Sequence, residues 1–312
     1  MLQKNVSVES GLLPLSKSYA RKHNADLAIP NCAGSGLGNV LVYTRLIDDY
    51  AMSLGRPISI ITAPISPKVG VVPNESPYPF FENNPFIGKI INADEVDQEG
   101  FIGVNSEELS LVQLSHVIEN ICFAYGIRPR VLRPSLYLTK TEKAWALRAL
   151  QHLPRPLVCL HPGGTTSSPG NCPWNVQNWL KLTEILQDRA SFFQIGRKNS
   201  VDQDLGLENP GRTLREAIAL IWASDFYIGF DSCPMHIATA LNKDLISIFH
   251  MENKYTYEAK YKKVFVPSVM LRWAYPFNTN LAIMPDDYDG EKLLLRIVDK
   301  VSSSIKKLKY EI

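Results

Sequence analysis

The sequence predicts an α/β protein in which two doubly wound units each have a parallel sheet covered by helices. Apolar runs rich in β-branched residues alternate with helical patterns along nearly the whole chain, as they do in consecutive βαβ units. The chain has 312 residues. Domains commonly have about 150 residues, so this length fits two of them. Three strand ends carry turns of small residues, at the edge where doubly wound sheets bind ligands.

The first half of the chain is predicted to hold three strands and two helices. The strands are the runs DLAIPNCA, PISIITA and FIGKIINA, and the helices cover residues 39–54 and 107–125. The segment 64–85, between the second and third strands, contains six prolines and is longer than most connections in compact domains. It is either a surface excursion or a flap that faces the substrate.

The second half is predicted to contain four helices that alternate with strands. Two of these helices open with a threonine followed three residues later by Glu142 or Glu216, which is the spacing of a capping box. The helices start at Thr139, Asn175, Thr213 and Pro234, and the strands are RPLVCLHPGG, ASFFQIG, DFYIGF and DLISIFH. This alternation predicts a second doubly wound unit, with its site at the carboxyl ends of the strands.

The predicted boundaries place the first unit at residues 1–135, the second at 136–288, and a C-terminal helix at 289–312. The helix has one stripe of apolar side chains spaced three and four residues apart: Leu294, Val298, Val301, Ile305 and Leu308. Because such a stripe must be covered, we expect the helix to pack between or across the two units.

Composition and charge exclude several classes of protein. The 33 Lys and Arg nearly balance the 31 Asp and Glu, so nucleic-acid binding is not expected. The five cysteines form neither a CxxC pair nor a Cys/His zinc pattern, which favours a reduced, cytoplasmic setting.

No signal-peptide pattern and no run of about 18 apolar residues occurs, so we expect a soluble protein. The basic end IKKLKYEI is a solvated helix end or, alternatively, a contact with the anionic inner face of a membrane.

Three turns, AGSGLGN, HPGGTT and GFDSCPMH, each join a strand to a helix. Small residues let the backbone approach a ligand, and the helix start supplies N–H groups and a positive dipole, so each turn could hold an anion without a metal. The first turn is not GxGxxG, because Asn39 stands where the third glycine belongs. Asp48 and Asp49 come too early for a ribose-binding acid, so a nicotinamide cofactor is not expected. Neither GxxxxGK[ST] nor GxSxG occurs.

Each candidate residue in these turns also has a purely structural alternative. Thr165 and Thr166 either give hydroxyls to a phosphate or cap their own backbone. Asp231 is a site residue or an N-cap, and His236 is a site residue or a half-buried ring with satisfied hydrogen bonds. Cys233, at a helix start, is more typical of a small packing residue than of a nucleophile, because no partner is visible.

The motifs of the second half follow one another in a specific order. A strand reaches His-Pro-Gly in VCLHPGGTTSSPGNCPW, where a downstream Trp opens a helix. A second strand ends at glycine in FFQIGRKNS, and Asp-Ser-x-Pro-Met-His follows in GFDSCPMHIATAL. This order resembles the bacterial heptosyltransferase family, glycosyltransferase family 9. In the first half, GLGNVL looks like the family's Gly-Asp-Val-Leu turn, and NNPFIGKI is similar to its Asn-Pro and strand element. The resemblance implies the GT-B architecture, two facing Rossmann-like domains with a nucleotide-diphospho-sugar in the cleft.

The resemblance further implies an inverting glycosyltransferase that moves a sugar such as heptose from a nucleotide-diphosphate donor to lipopolysaccharide or another glycan or glycolipid acceptor. The first domain would hold the acceptor, with Gly36 and Gly38 in its turn, and the second would hold the donor. Thr165 and Thr166 match the threonines that bind the diphosphate, and Asp231 matches the part that meets the donor sugar. The candidate donor-binding residues are Gly163, Gly164, Thr165, Thr166, Gly196, Arg197, Lys198, Ser232, Cys233, Met235 and His236. No metal or other cofactor is expected.

The sequence departs from the family pattern at three positions. Family members carry an Asp that acts as general base where this chain has Asn39, and an amide cannot accept a proton at useful pH. The basic residue usual before the Trp is missing ahead of Trp174, and Cys233 replaces a glycine. Asn39 would then position the acceptor hydroxyl, while Asp231, or else Asp48 or Asp49, takes the proton.

Two other functions stay open at this stage. The loss of the Asp and of the basic residue is also typical of a degenerate member that binds nucleotide or glycan without transferring sugar. A GT-B relative that converts the nucleotide sugar itself, such as an epimerase, would need no acceptor.

Overall fold

The structure, a computed structural model, describes the chain at residues 18–29, 37–64, 76–93, 116–163, 174, 176–196, 204–250, 269–283 and 290–310. Within these ranges the strands are β1 (Leu27–Ala28), β2 (Ile58–Thr62), β3 (Ile87–Asn92), β4 (Leu157–His161), β5 (Ser191–Gln194), β6 (Phe226–Phe230), β7 (Asp244–His250) and β8 (Thr279–Ile283). The helices are α1 (Leu37–Leu41), α2 (Tyr43–Leu54), α3 (Val117–Ala124), α4 (Lys140–Ala149), α5 (Val176–Leu186), α6 (Leu214–Ala223), α7 (Cys233–Ala240), α8 (Val269–Trp273) and α9 (Glu291–Tyr310).

The strands form two sheets, and every described pairing is parallel. The first sheet has the order β1-β2-β3, with Leu27 opposite Ile60, and the second has the order β5-β4-β6-β7-β8. In the second sheet the chain runs outward from β4 to β5, then returns to place β6 on the other side of β4. The order therefore reverses between β4 and β6, and ligands of doubly wound sheets bind in the crevice at such a point.

The central strands of the second sheet are buried along their whole length. All five residues of β4 and all five of β6 are buried, as expected when helices cover both faces of a parallel sheet. One cluster of buried side chains includes Ile60 of the first sheet and Tyr227 of the second, so the two sheets share part of their core.

The threonine capping boxes at α4 and α6 are confirmed. The hydroxyl of Thr139 accepts from the backbone N–H of Glu142, while the Glu142 carboxylate accepts from the Thr139 N–H, and the start of α6 repeats the arrangement. A third box at α3 uses His116 as the capping side chain with Glu119. The usual pattern does not find this box, because it expects a hydroxyl or a carboxylate at the N-cap.

Two parts of the fold differ from the expectations drawn from the sequence. The run TNLAI forms β8 and pairs with β7 at the edge of the second sheet, although no strand was predicted there. Residues 76–85 are not a surface excursion, because Phe80 and Phe81 are buried in the core, and the alternative of a flap that faces the substrate stays a prediction. The rest of the proline-rich segment, 65–75, and the beginning of the helix predicted over 107–125 lie outside the described residues.

The C-terminal helix α9 packs on the second sheet's layer. Its residues Leu294, Val301 and Ile305 are buried in the same cluster as Leu182 and Leu186 of α5. The predicted domain boundaries, and a bridging role for this helix, stay predictions. Within the part of the chain that the structure describes, no helix has both the length and the apolar character needed to cross a membrane.

Arg215, in α6, ties three distant segments together from a nearly buried position. Its guanidinium donates to the carbonyl oxygen of Pro79 at 2.9 Å, to that of Tyr137 at 2.8 Å and to the Glu142 carboxylate at 2.6 Å. The Glu82 carboxylate lies 3.4 Å away, and the arginine side chain keeps only 9% of its surface exposed. Arg215 therefore joins the 76–85 segment to the second unit.

Replacement of Arg215 should weaken the fold far more than replacement of an exposed arginine. Arg215→Met leaves the Pro79 and Tyr137 carbonyl oxygens without this donor and removes the cation beside Glu142 and Glu82, so we expect the free energy of unfolding to fall by about 3 kcal/mol. Urea denaturation followed by circular dichroism measures this loss. Arg56→Met is the matched control, because Arg56 also holds a carboxylate, that of Asp26, but its side chain is 55% exposed. Equal losses in the two variants would contradict the assignment.

Candidate active site

The candidate site lies where the order of the second sheet reverses, at the carboxyl ends of β4 and β6. Strand β4 ends at His161, which is paired in register with Gly229 of β6, and Asp231 follows directly after β6. Two of the three turns selected from the sequence, HPGGTT and GFDSCPMH, are thus brought together. The structure describes the turn HPGGTT as far as Gly163.

The remaining turn, AGSGLGN, belongs to the first unit. It reaches the same place through a contact between α1 and α7. A Cβ atom built on Gly38 would lie 2.6 Å from Cδ2 of His236 and 3.5 Å from Cα of Cys233. Only a glycine allows the two helices to approach this closely. Asn39, the next residue, therefore lies beside the start of α7, and the thiol residue Cys233 is in a packed contact between the units.

His236 is fixed by the groups around it. Its Nδ1 lies 2.6 Å from the Tyr275 hydroxyl, and its ring meets those of Trp273 and Tyr275 edge to face, with centroids 5.5 Å apart in both pairs. Burial, and to a smaller extent the nearby His116, lowers the pKa of His236 to about 3, so the ring is neutral at pH 7. His236 is therefore a buried ring with a partner. Its predicted contact with a donor stays a prediction.

The carboxyl group of Asp231 has a pKa far from its ordinary value. Its side chain keeps 25% of its surface exposed, and Oδ1 lies 3.9 Å from Nε2 of His236. Burial of the rest of the group raises its pKa to about 7. Because His236 is neutral, it supplies no positive charge to offset this burial. The N-cap of α7 is Ser232 and not Asp231, so the capping alternative for Asp231 is wrong.

The alternative acids Asp48 and Asp49 have structural partners. Asp48 accepts from the Asn84 side chain at 2.9 Å and from the Tyr137 hydroxyl at 2.7 Å, while Asp49 accepts from Arg45 at 3.2 Å. Both carboxylates are 2% exposed. They hold α2 against its neighbours, and a role of either as the base stays a prediction.

The remaining predicted site residues fall into two groups. Met235 is fully buried and packs against Thr239, while the carbonyl oxygen of Gly196 accepts from the Asn209 side chain at 2.9 Å. The other group lies outside the described residues and consists of Gly36, Gly164, Thr165, Thr166, Arg197 and Lys198. Among the residues that are described, no group of three or more His, Cys, Asp or Glu side chains is arranged to hold a metal ion.

Sequence reasoning missed two residues that shape this site. His161 contacts Ser232 across the ends of β4 and β6, with Nδ1 3.2 Å from Oγ. Tyr275, which holds His236, lies in a stretch to which no element was assigned from the sequence. For His161, the one signal in the sequence is its position at the end of a predicted strand. Nothing in the sequence points to Tyr275.

Comparison with known proteins gives one family and a group of solved structures. The sequence model of glycosyltransferase family 9 (heptosyltransferase) matches residues 124–276. No curated protein sequence matches the chain significantly. The glycosyltransferase family 9 protein of Veillonella parvula DSM 2008 has a TM-score of 0.60 at 10% identity, with 90% of this chain and 97% of that chain covered.

Two heptosyltransferases of E. coli have similar folds. The ADP-heptose lps heptosyltransferase II matches with a TM-score of 0.54 and 13% identity, over 90% of this chain and 99% of that chain. Heptosyltransferase WaaC, solved with ADP, matches with a TM-score of 0.52 and 12% identity, over 89% of this chain and 99% of that one. At such identities the likeness shows the fold, which is the predicted GT-B architecture with two Rossmann-like domains.

A side chain at position 38 should separate α1 from α7. In Gly38→Ala the new methyl group would overlap the His236 ring, which Trp273 and Tyr275 prevent from moving, so we expect a loss of about 1–3 kcal/mol in unfolding free energy. Gly88→Ala is the control, because its Cβ would meet its nearest neighbour at 3.4 Å. Chemical denaturation compares the two variants. An unchanged or increased stability of Gly38→Ala would show that the contact is not tight.

Proposed function

Because the chain belongs to the heptosyltransferase family, glycosyltransferase family 9, we propose that it transfers a sugar from a nucleoside-diphosphate donor to a glycan acceptor, with inversion at the anomeric carbon. We propose ADP-heptose as the donor, since a similar structure is named as an ADP-heptose lps heptosyltransferase and another was solved with ADP. The acceptor is then lipopolysaccharide or a related glycolipid. The reaction would take place in the cytoplasm, at the inner face of the membrane that holds this acceptor.

The observation that carries this proposal is the meeting of the two units at His236 and Cys233 of α7, the helix that follows Asp231. The acceptor-side turn lies against the start of α7 through Gly38, so groups from both units border the crevice where the sheet order reverses. A transferase that joins two substrates needs such a place, because holding both in one geometry removes much of the barrier to their reaction.

The proposed reaction is a direct displacement. Asn39 orients the acceptor hydroxyl, and Asp231 takes its proton as the acceptor oxygen attacks the anomeric carbon of the donor. The bond from that carbon to the diphosphate oxygen breaks, and the nucleoside diphosphate leaves with the electron pair. A carboxylate whose pKa is about 7 suits a base at neutral pH, because it is both ionised and sufficiently basic.

The leaving diphosphate carries negative charge that the protein must stabilise. In this proposal the positive end of the α7 dipole supplies that stabilisation, together with Thr165, Thr166, Arg197 and Lys198. The proposal includes no metal ion, because oriented amides and side-chain cations already provide positive potential.

A thermal-shift screen tests the donor. We expect ADP and ADP-heptose, each at 100 times its dissociation constant and with EDTA present, to raise the melting temperature by roughly 5 °C. AMP, which lacks the second phosphate, is the control and should stabilise the protein less. If none of ADP, GDP, UDP, CDP and their sugars stabilises the protein, the proposal fails. If stabilisation disappears only with EDTA, a metal takes part.

Replacement of Asp231 tests the base. Asp231→Asn should lower kcat by about 100-fold or more, because the amide cannot take the proton, while the dissociation constant for ADP changes little. Release of ADP from ADP-heptose, with heptose-free lipopolysaccharide as acceptor, measures kcat. The base acts in its ionised form and its pKa is about 7, so kcat of the unaltered protein should fall as the pH is lowered through 7.

The substitution Asn39→Asp distinguishes a base at Asp231 from a base at position 39. If Asp231 is the base, Asn39→Asp does not raise kcat, since the proton already has an acceptor. A tenfold or larger rise in kcat, with the affinity for ADP unchanged, would instead show that the family's base position has lost its function here. Full activity of Asp231→Asn together with such a rise would move the base to position 39.

A further inference from the structure

Ser232 is the N-cap of α7, but its hydroxyl does not cap the helix. No backbone N–H of α7 donates to it. Instead, Oγ lies 3.2 Å from Nδ1 of His161 and 3.1 Å from the carbonyl oxygen of Phe230. Serine is favoured at N-caps because its oxygen accepts from the first turn of the helix. Here the hydroxyl of Ser232 makes other hydrogen bonds instead.

The two contacts of the hydroxyl fix the direction of each hydrogen bond. A serine hydroxyl has one proton, and the Phe230 carbonyl oxygen can only accept, so Ser232 donates to Phe230. Oγ must then accept from His161, which requires the proton of the neutral ring, or one of the protons of the charged ring, to be on Nδ1. The result is a chain of two hydrogen bonds from the end of β4 to the end of β6.

Asp231 lies inside the short segment that the second of these hydrogen bonds closes. The residue lies between Phe230 and Ser232, whose carbonyl oxygen and hydroxyl are joined by the second hydrogen bond. The backbone N–H of Asp231 is held by the carbonyl oxygen of Ile248, on β7, at 3.0 Å. The backbone of Asp231 is thus fixed on one side by the sheet and on the other by Ser232, and Ser232 in turn is held by His161.

We propose that His161 is a positioning residue for the reaction, acting through the Ser232 hydroxyl to hold the Asp231 carboxylate at the acceptor. His161 is itself well placed to act as a fixed point, because it is the last residue of a central strand and is 4% exposed. This inference rests on the proposed function, since it assumes that Asp231 takes part in the transfer.

Three variants separate this role from general loosening of the fold. His161→Leu removes the donor, His161→Asn keeps an N–H near the place of Nδ1, and Ser232→Ala removes the middle of the chain of hydrogen bonds. We expect His161→Leu and Ser232→Ala each to lower kcat about tenfold, because displacement of a reacting group slows the reaction steeply. His161→Asn should recover most of the loss. Release of ADP from ADP-heptose gives kcat, and titration calorimetry with ADP gives the affinity, which should change less than twofold.

The double variant His161→Leu/Ser232→Ala gives the sharpest outcome. Both changes remove the same link, so we expect kcat of the double variant to equal that of His161→Leu alone. Losses that multiply in the double variant, or wild-type kcat in Ser232→Ala, would overturn the inference. Full activity of Asp231→Asn would instead reject the proposed base, whatever the His161 variants show. A loss of ADP affinity as large as the loss of kcat would assign His161 to donor binding and overturn its positioning role.

Discussion

The close contact between α1 and α7 is the constraint on which the candidate active site depends. Gly38 leaves no space for a side chain between the helix that carries Asn39 and the ring of His236. The ring cannot give way, because Tyr275 holds it by a hydrogen bond of 2.6 Å. Asp231 directly precedes Ser232, the N-cap of the helix α7 that carries this ring. The separation between the helix that carries Asn39 and the helix that follows Asp231 is therefore set by direct packing and not by the length of a loop.

The packing that fixes His236 also determines the charge of the site. Burial holds the pKa of this ring at about 3, so at neutral pH it carries no charge beside Asp231. A charged imidazole 3.9 Å from the carboxylate would favour its ionised form and lower its pKa. With a neutral ring, desolvation dominates and the pKa of Asp231 rises to about 7. The aromatic groups around His236 thus contribute indirectly to the basicity of Asp231.

Much of this organisation could be predicted from the sequence, because local signals determine it. The alternation of apolar runs with helical patterns, the capping box at Thr139 and the three turns of small residues all follow from neighbouring residues. The edge strand β8 could not be found in this way, since TNLAI has no strong alternation and its pairing with β7 decides its structure. The hydrogen bonds of Asp48 with Asn84 and of His161 with Ser232 join residues 36 or more positions apart, and no pattern in the sequence gives such distances.

The presence of Asn39 is consistent with the proposal that Asp231 is the base. An aspartate at position 39 would place a second carboxylate on α1, the helix that packs against α7 through Gly38 and Cys233. Two carboxylates that share a site disfavour each other's ionisation, so the pKa of Asp231, already raised by burial, would rise further. At neutral pH its proton would then be retained and Asp231 could not act as a base. An uncharged amide at position 39 avoids this repulsion while still offering a donor and an acceptor to the substrate hydroxyl.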